Sequence, residues 1–254
     1  MRGKKKFFLS LAAPVAVIVI CSILLSVTGG YAVYTANTNK RKLPVYGVER
    51  DDNSVSISFD CAWGADYTEK ILDTLDFYKV KATFFVVEFW TEKYPEVLKK
   101  IVDRGHEVGT HSKTHPKMSK LSVGQIETEL KSSVEAIEKI TEKKVTLFRP
   151  PFGDYDDEVI ETAEKLGLKT IQWSVDSLDW KDLSAEQIAV RVIGKTKSGS
   201  IILMHNNGLH TLESLPLIFT DLQRKGFVFR PIGELIYTKD YEIAPDGTQR
   251  KINI

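Results

Sequence analysis

The chain reads Val55-Ser56-Ile57-Ser58-Phe59-Asp60, continues through a helical pattern from Tyr67 to Tyr78, and returns to Ala82-Thr83-Phe84-Phe85-Val86-Val87. Two short β-branched and aromatic runs flanking a longer helical stretch form one strand–helix–strand unit of a parallel sheet, because parallel neighbours need a long crossover. The rhythm continues downstream. Further strands are expected at His106 to Thr110, Val145 to Phe148, Lys169 to Trp173, Ser200 to Met204 and Phe227 to Phe229, which makes seven. Helices are expected at Pro95 to Arg104, Val123 to Thr141, Asp156 to Leu166, Ala185 to Thr196, Leu212 to Arg224 and, briefly, Gly233 to Tyr237. Ser122 with Gln125, and Ser184 with Gln187, are capping boxes that satisfy orphan N–H groups at two helix starts. Ile126, Leu130, Val134, Ile137 and Ile140 recur at helical spacing as a core-facing stripe. The class is therefore α/β, closed into a barrel or wound as an open sheet, and in both the chemistry gathers at the carboxyl ends of the strands.

Composition bounds the rest. With 254 residues, 43% hydrophobic and 27% charged, the chain can bury one substantial core, so a single globular domain is expected. Arg2, Lys4, Lys5 and Lys6 precede an uncharged run from Phe7 to Thr28. That run is long enough to cross a hydrocarbon core of roughly 30 Å, and the positive-inside rule leaves the basic end in the cytoplasm. The expected layout is a basic head at 1–6, a signal-anchor at 7–28, a polar linker at 29–44 and a domain at 45–254 outside a single-pass membrane anchor. Secretion after cleavage is the alternative, opposed by the length of the run and the lack of a clear A-x-A site. Without the four basic head residues, 31 Lys and Arg stand against 34 acidic residues, so no basic surface calls for nucleic acid. Cys21 lies in the apolar run and Cys61 in the domain, which makes an intrachain disulfide improbable. No feature sets an oligomeric state.

Chemistry-bearing residues fall at the expected strand ends. Asp60 follows the first strand, His111 and His115 the third, Arg149 the fourth, Asp176 the fifth, and His205 ends the sixth. Two imidazoles four residues apart can share one helical face and converge on one metal ion, with Pro116 stopping a longer helix. Ser112 occupies the place where a zincin needs its glutamate, which excludes that class. His106 reads as structural, and His210 has no assigned role.

With these residues in hand, the chain resembles the polysaccharide deacetylase family, the group sharing the chitooligosaccharide deacetylase homology domain. The resemblance runs from Val55 to Ile236 through Ser58-Phe59-Asp60, Ala82-Thr83-Phe84-Phe85, Gly105-His106-Glu107-Val108-Gly109, His111 to Pro116, Arg149-Pro150-Pro151-Phe152-Gly153, Trp173 to Trp180 and Ile202-Leu203-Met204-His205. More narrowly, it is similar to a membrane-anchored branch associated with spore formation. The resemblance implies an irregular seven-stranded (β/α) barrel that removes N-acetyl groups from peptidoglycan or a related amino-sugar glycan with a divalent metal, zinc before cobalt or nickel.

It also implies roles. Asp60 would be the general base with Arg149 paired to it. His205 would be the general acid, its imidazole held by Asp176. The backbone N–H of Phe152 would serve the oxyanion, and Trp180 and Leu203 would wall the pocket. One departure stands out: where the family has a second aspartate that binds the metal, this chain has Cys61. A thiolate joins histidines readily in zinc sites, so Cys61 with His111 and His115 is one expected ligand set. A thiol that only packs is the other, with Asp66 as a substitute ligand. Two further functional readings stay open, a catalytically weak glycan-binding barrel that lost its metal, and an O-deacetylase.

Overall fold

Strand β2 (Ser54–Cys61) is buried along its whole length, because both its neighbours in the sheet and both its faces are covered. The structure is a computed structural model that describes residues 41–252. The expected basic head, membrane segment and most of the linker lie outside the described residues. Among the described residues no helix is long and apolar enough to cross a membrane.

Around β2 run β3 (Thr83–Val86), β4 (Glu107–Thr110), β5 (Leu147–Phe148), β6 (Lys169–Thr170), β7 (Val175–Asp176) and β8 (Ile201–His205). Their spatial order is β6-β5-β4-β3-β2-β8-β7, all parallel, with β9 (Val228–Phe229) pairing the start of β2. This is a curled half-barrel of the (β/α) type. Helices α1 (Thr68–Phe77), α2 (Glu88–Lys93), α3 (Pro95–Asp103), α4 (Val123–Thr141), α5 (Asp157–Lys165), α6 (Ala185–Lys195), α7 (Thr211–Arg224) and α8 (Ile232–Leu235) connect the strands. In α4 the expected stripe buries Ile126, Leu130 and Ile137, each contributing about 1.5–3 kcal/mol by leaving water.

Two apolar clusters follow from the two faces of the strands. Ile57, Phe59 and Cys61 of β2 join Phe84 and Val86 of β3 in the larger cluster. Phe85, Leu147, Ile171 and Ile201 form the smaller one with Val45, Val48 and Ile232. Successive residues of a strand point to opposite faces, so Ser56, Ser58 and Asp60 lie opposite Cys61. The serines are satisfied locally: Ser56 Oγ donates to the Arg230 carbonyl at 2.6 Å and Ser58 Oγ to that of Ile202 at 2.8 Å.

The strand and helix pattern of the sequence reappears with three additions. Val175–Asp176 forms its own short strand, Glu88–Lys93 is helical, and a three-stranded sheet joins β1 (Gly47–Val48), β10 (Tyr241–Ile243) and β11 (Thr248–Lys251). These elements are too short to display a period. Gly199 is required here at φ 78, since a Cβ would lie 1.6 Å from the Val48 carbonyl oxygen.

Candidate active site

At the carboxyl ends of β2, β4, β5 and β8 opens a cleft of about 720 Å³. The parallel register of β2 and β8 sets Asp60 opposite His205, so a carboxylate and an imidazole share its floor. Asp60 is 7% exposed, and its Oδ1 accepts from Arg149 Nη1 at 2.8 Å. Burial alone would raise this carboxyl; the charges of Arg149, then His111 and His205, outweigh it, and the value falls below the usual carboxylate range. Asp60 is thus held ionised in a dry setting. Arg149 is fully buried, bonds Ser58 Oγ at 2.9 Å and the Gln172 carbonyl at 3.1 Å, and lies 4.2 Å over the Phe85 ring. Small Ser58 leaves room for it.

His111 donates from Nδ1 to the Arg149 carbonyl at 2.7 Å, which leaves the Nε2 lone pair toward the cleft, 3.5 Å from Asp60 Oδ2. Burial lowers its pKa, more than Asp60 raises it. Burial and the neighbouring His111 bring His115 to about 4. Both rings are therefore neutral near pH 7, the form that binds metal. The expected helical turn between them is absent. A loop with left-handed Ser112 (φ 72) and His115 (φ 60) brings the ring centroids to 4.9 Å instead, with Ser112 Oγ accepting the His115 N–H at 3.1 Å.

On the opposite wall His205 is held by Asp179. Its backbone N–H and its Nδ1 each meet one carboxylate oxygen at 2.8 Å, and Thr211 Oγ1 donates to that carboxylate at 2.6 Å. Burial pulls the imidazole down, but the hydrogen bond and charge of Asp179 overcome it, and the net shift is upward. With Nδ1 occupied, Nε2 is the nitrogen that faces the cleft.

The expected partner of His205 was Asp176, and the structure corrects this. Asp176 lies on β7, lines the cleft, and uses Oδ1 to accept the Leu178 N–H at 2.9 Å, an Asx-type turn. Leu178 then takes φ 57, which turns the chain so that Asp179, 1% exposed, reaches His205. The signal for Asp179 was an aspartate three residues on in the same stretch, but nothing in the sequence says which of the two is buried.

Cys61 is also corrected. Its thiol is fully buried in the larger apolar cluster, 3.8 Å from the Phe59 carbonyl, and is not part of the cleft lining. Burial, with a smaller push from Asp60, raises its pKa well above the ordinary thiol value, so it stays a neutral thiol. Strand alternation is the reason: the residue after a cleft-facing aspartate faces the helices. Asp66 is exposed and outside the cleft.

Leu203, at 3% exposure, lines the floor. Trp180 and Phe152 line the walls at 56% and 63% exposure. Phe152 sits at φ 59 with its ring edge-on to His115 at 4.5 Å. Trp63 brackets His115 from another side at 4.9 Å and lines the cleft with Trp173; sequence reasoning missed both walls, since a tryptophan outside a period carries no signal. His106 is buried with Nδ1 accepting the Ala82 N–H at 3.2 Å, a structural role. His210 is the residue before α7.

Two neutral imidazoles lining one cleft, His111 with its Nε2 toward it, fit a divalent metal such as zinc; a thiol buried in the apolar cluster outside the cleft lining fits it less well. Among the described residues no three His, Cys, Asp or Glu side chains converge as a ready ligand set. The donor set that fits is His111 with His115 alone.

Comparison with known proteins agrees with this geometry. The sequence profile of the Polysaccharide deacetylase family matches residues 47–171. The chain is 34% identical to a Bacillus cereus peptidoglycan-N-acetylglucosamine deacetylase over 76% of its own length and 92% of that protein. It is 37% identical to Bacillus subtilis YlxY over 76% of its own length, and spans 60% of that relative's length. Among solved structures it is similar to BA3943 of Bacillus anthracis, described as a CE4 family pseudoenzyme, at TM-score 0.74 and 38% identity over 76% of this chain and 68% of that one. A mutant of BA3943 has restored enzymatic activity. Motif order, barrel and opposed acid–base pairs converge with these likenesses: the chain belongs to the polysaccharide deacetylase family.

Proposed function

We propose that this protein removes N-acetyl groups from the amino sugars of peptidoglycan or a related cell-wall glycan. One observation carries the reading: Asp60 tied to Arg149 and His205 tied to Asp179, which raises its hold on a proton, sit opposite each other across one cleft, with two imidazoles beside them. Amide hydrolysis needs a proton acceptor for water, a proton donor for the departing amine and stabilisation of the oxyanion. Asp60 accepts the water proton at a carboxylate oxygen, and its burial beside Arg149 keeps it ionised before the step. His205 gives the proton on Nε2 to the sugar nitrogen, with Asp179 stabilising the imidazolium form. The Phe152 N–H is the candidate oxyanion donor, while Trp63, Trp180 and Leu203 receive the pyranose face and the acetyl methyl. His111 and His115 would hold the divalent metal, which supplies an acidified water and polarises the carbonyl. Zinc suits two imidazoles, as do cobalt and nickel.

The basic head and apolar run support placing the domain outside a bacterial membrane within reach of the wall. The resemblance to the spore-associated branch extends the proposal to wall remodelling during spore formation. A second reading, a glycan-binding protein with weak turnover, is favoured by the inward turn of Cys61 and the likeness to BA3943. Acetate release from N-acetylated glycan strands by the purified full-length protein, with and without chelator, tests the proposal. Chelator-sensitive acetate release supports it; glycan binding without release selects the second reading. Acetylated xylan in the same assay separates ester from amide cleavage.

A further inference from the structure

The segment carrying both imidazoles is held in an unfavourable conformation. Ser112 and His115 both occupy the left-handed region, which crowds any side chain with a Cβ and persists only where the surroundings hold it. One face of α4 does the holding. Glu129, Ser132 and Ser133 lie at i, i+3 and i+4, so their side chains share that face. Glu129 Oε2 accepts the backbone N–H of Lys113 at 2.9 Å and of Thr114 at 2.8 Å, and Oε1 accepts the Thr114 hydroxyl at 2.7 Å. Lys113 Nζ reaches Ser132 Oγ at 3.1 Å and lies 3.4 Å from Glu88 Oε1. Ser133 Oγ bonds Thr110 Oγ1 at 2.5 Å, and Thr110 Oγ1 accepts the Ser112 N–H at 3.1 Å.

We propose that Glu129 is a positioning residue for the two-imidazole site: its carboxylate clamps the two peptide N–H groups that immediately precede His115, and so fixes that ring against His111. Glu129 touches neither ring and does not line the cleft, so its effect passes through the backbone alone. Three donors on one carboxylate is an arrangement that a surface glutamate on a helix does not need for the helix itself. Charge-assisted hydrogen bonds of this kind are the strong ones. Where a metal has few protein ligands, the orientation of each counts for more, and outer partners of a ligand typically influence affinity about 10–100-fold. The inference rests on the reading of His111 and His115 as metal ligands.

The test uses the full-length protein and Co²⁺ as the probe. In Glu129→Ala the Co²⁺ dissociation constant is expected to rise about tenfold or more, amide exchange at Lys113 and Thr114 to accelerate, and the alkaline limb of activity set by His205 to stay in place. Glu129→Gln is expected to stay close to wild type, because its amide oxygen can take both N–H groups while its NH₂ donates to the Thr114 hydroxyl. Should Glu129→Ala fail to fold, Glu129→Asp, one methylene short of the loop, carries the same expectations. Faster amide exchange with unchanged Co²⁺ affinity would overturn the positioning role, as would unchanged exchange. If the wild type takes up no Co²⁺, the metal reading fails on its own. The imidazole nitrogen resonances of His115 then decide: displaced signals in Glu129→Ala support the clamp, and unmoved signals overturn it.

Discussion

The two walls of the cleft are built to different degrees of completeness. On one, His205 is gripped by Asp179, which is itself bonded by Thr211 and fully enclosed. On the other, His111 and His115 line the cleft, but the residue at the position of the third protein donor that the family resemblance implies, Cys61, is turned into the core. The proton-transfer wall rests on side chains whose partners come from the loop after β7 and the first residue of α7. By contrast, the imidazole wall rests on a loop of strained backbone tied to a helix. The barrel thus keeps the proposed acid and base in full order, while the proposed metal wall has fewer ligands to offer.

Removing either imidazole should have the largest effect. His111→Ala and His115→Ala are each expected to abolish metal content and chelator-sensitive acetate release, since half of the protein ligands disappear; metal retained in either variant, measured by elemental analysis, would move the site elsewhere. Next comes the proton-transfer wall. Asp179→Asn is expected to lower kcat by about 10²-fold, the usual scale of general acid–base assistance, because His205 loses the group that holds its proton. As the proposed general acid, His205 works protonated. Its pKa is raised in the folded protein, so activity should fall as pH rises through that elevated value. Without Asp179 this alkaline limb should move to lower pH. Asp176→Asn should move the limb the same way but much less, since that carboxylate is bonded to the Leu178 N–H and acts on His205 only through its charge, the smallest of the upward pushes. On the acid side, His115 takes a proton at about 4, so metal should leave as pH falls toward that value and return on neutralisation.

Smaller effects are expected at Cys61 and Trp63. Cys61→Asp buries a carboxylate among Phe59, Phe84 and their neighbours and is expected to reduce stability by about 3 kcal/mol, read from chemical denaturation. Trp63→Ala is expected to raise KM with kcat little changed, since its exposed ring offers a wall for the sugar rather than a reacting group.

Much of this molecule was legible in its sequence. The strand–helix rhythm placed β2 to β6, β8 and β9 but not the two-residue β7, because the former lie in runs of β-branched and aromatic residues, and α4 announced itself through its stripe and capping box. The pairing of Asp60 with Arg149 followed from the family resemblance. What stayed hidden depends on direction. Asp176 and Asp179 look alike in a string of letters; only the left-handed turn at Leu178 decides which is buried against His205. Cys61 sits beside Asp60 in sequence and on the opposite face in space, a consequence of strand alternation that the appeal of a thiolate ligand obscured. The tie from Glu129 spans a loop and half a helix, a distance over which no local pattern operates.

In the proposed site the imidazoles, and not the thiol, hold the metal. Elemental analysis of the full-length protein and its Cys61→Ser variant, purified reduced in the presence of zinc, tests it directly. The serine hydroxyl can keep the contact with the Phe59 carbonyl, so its effect on stability should be about 1 kcal/mol or less. One zinc per chain is expected in both proteins, with equal affinity. Loss of zinc from Cys61→Ser, with the fold intact, would contradict it and return the thiol to the site.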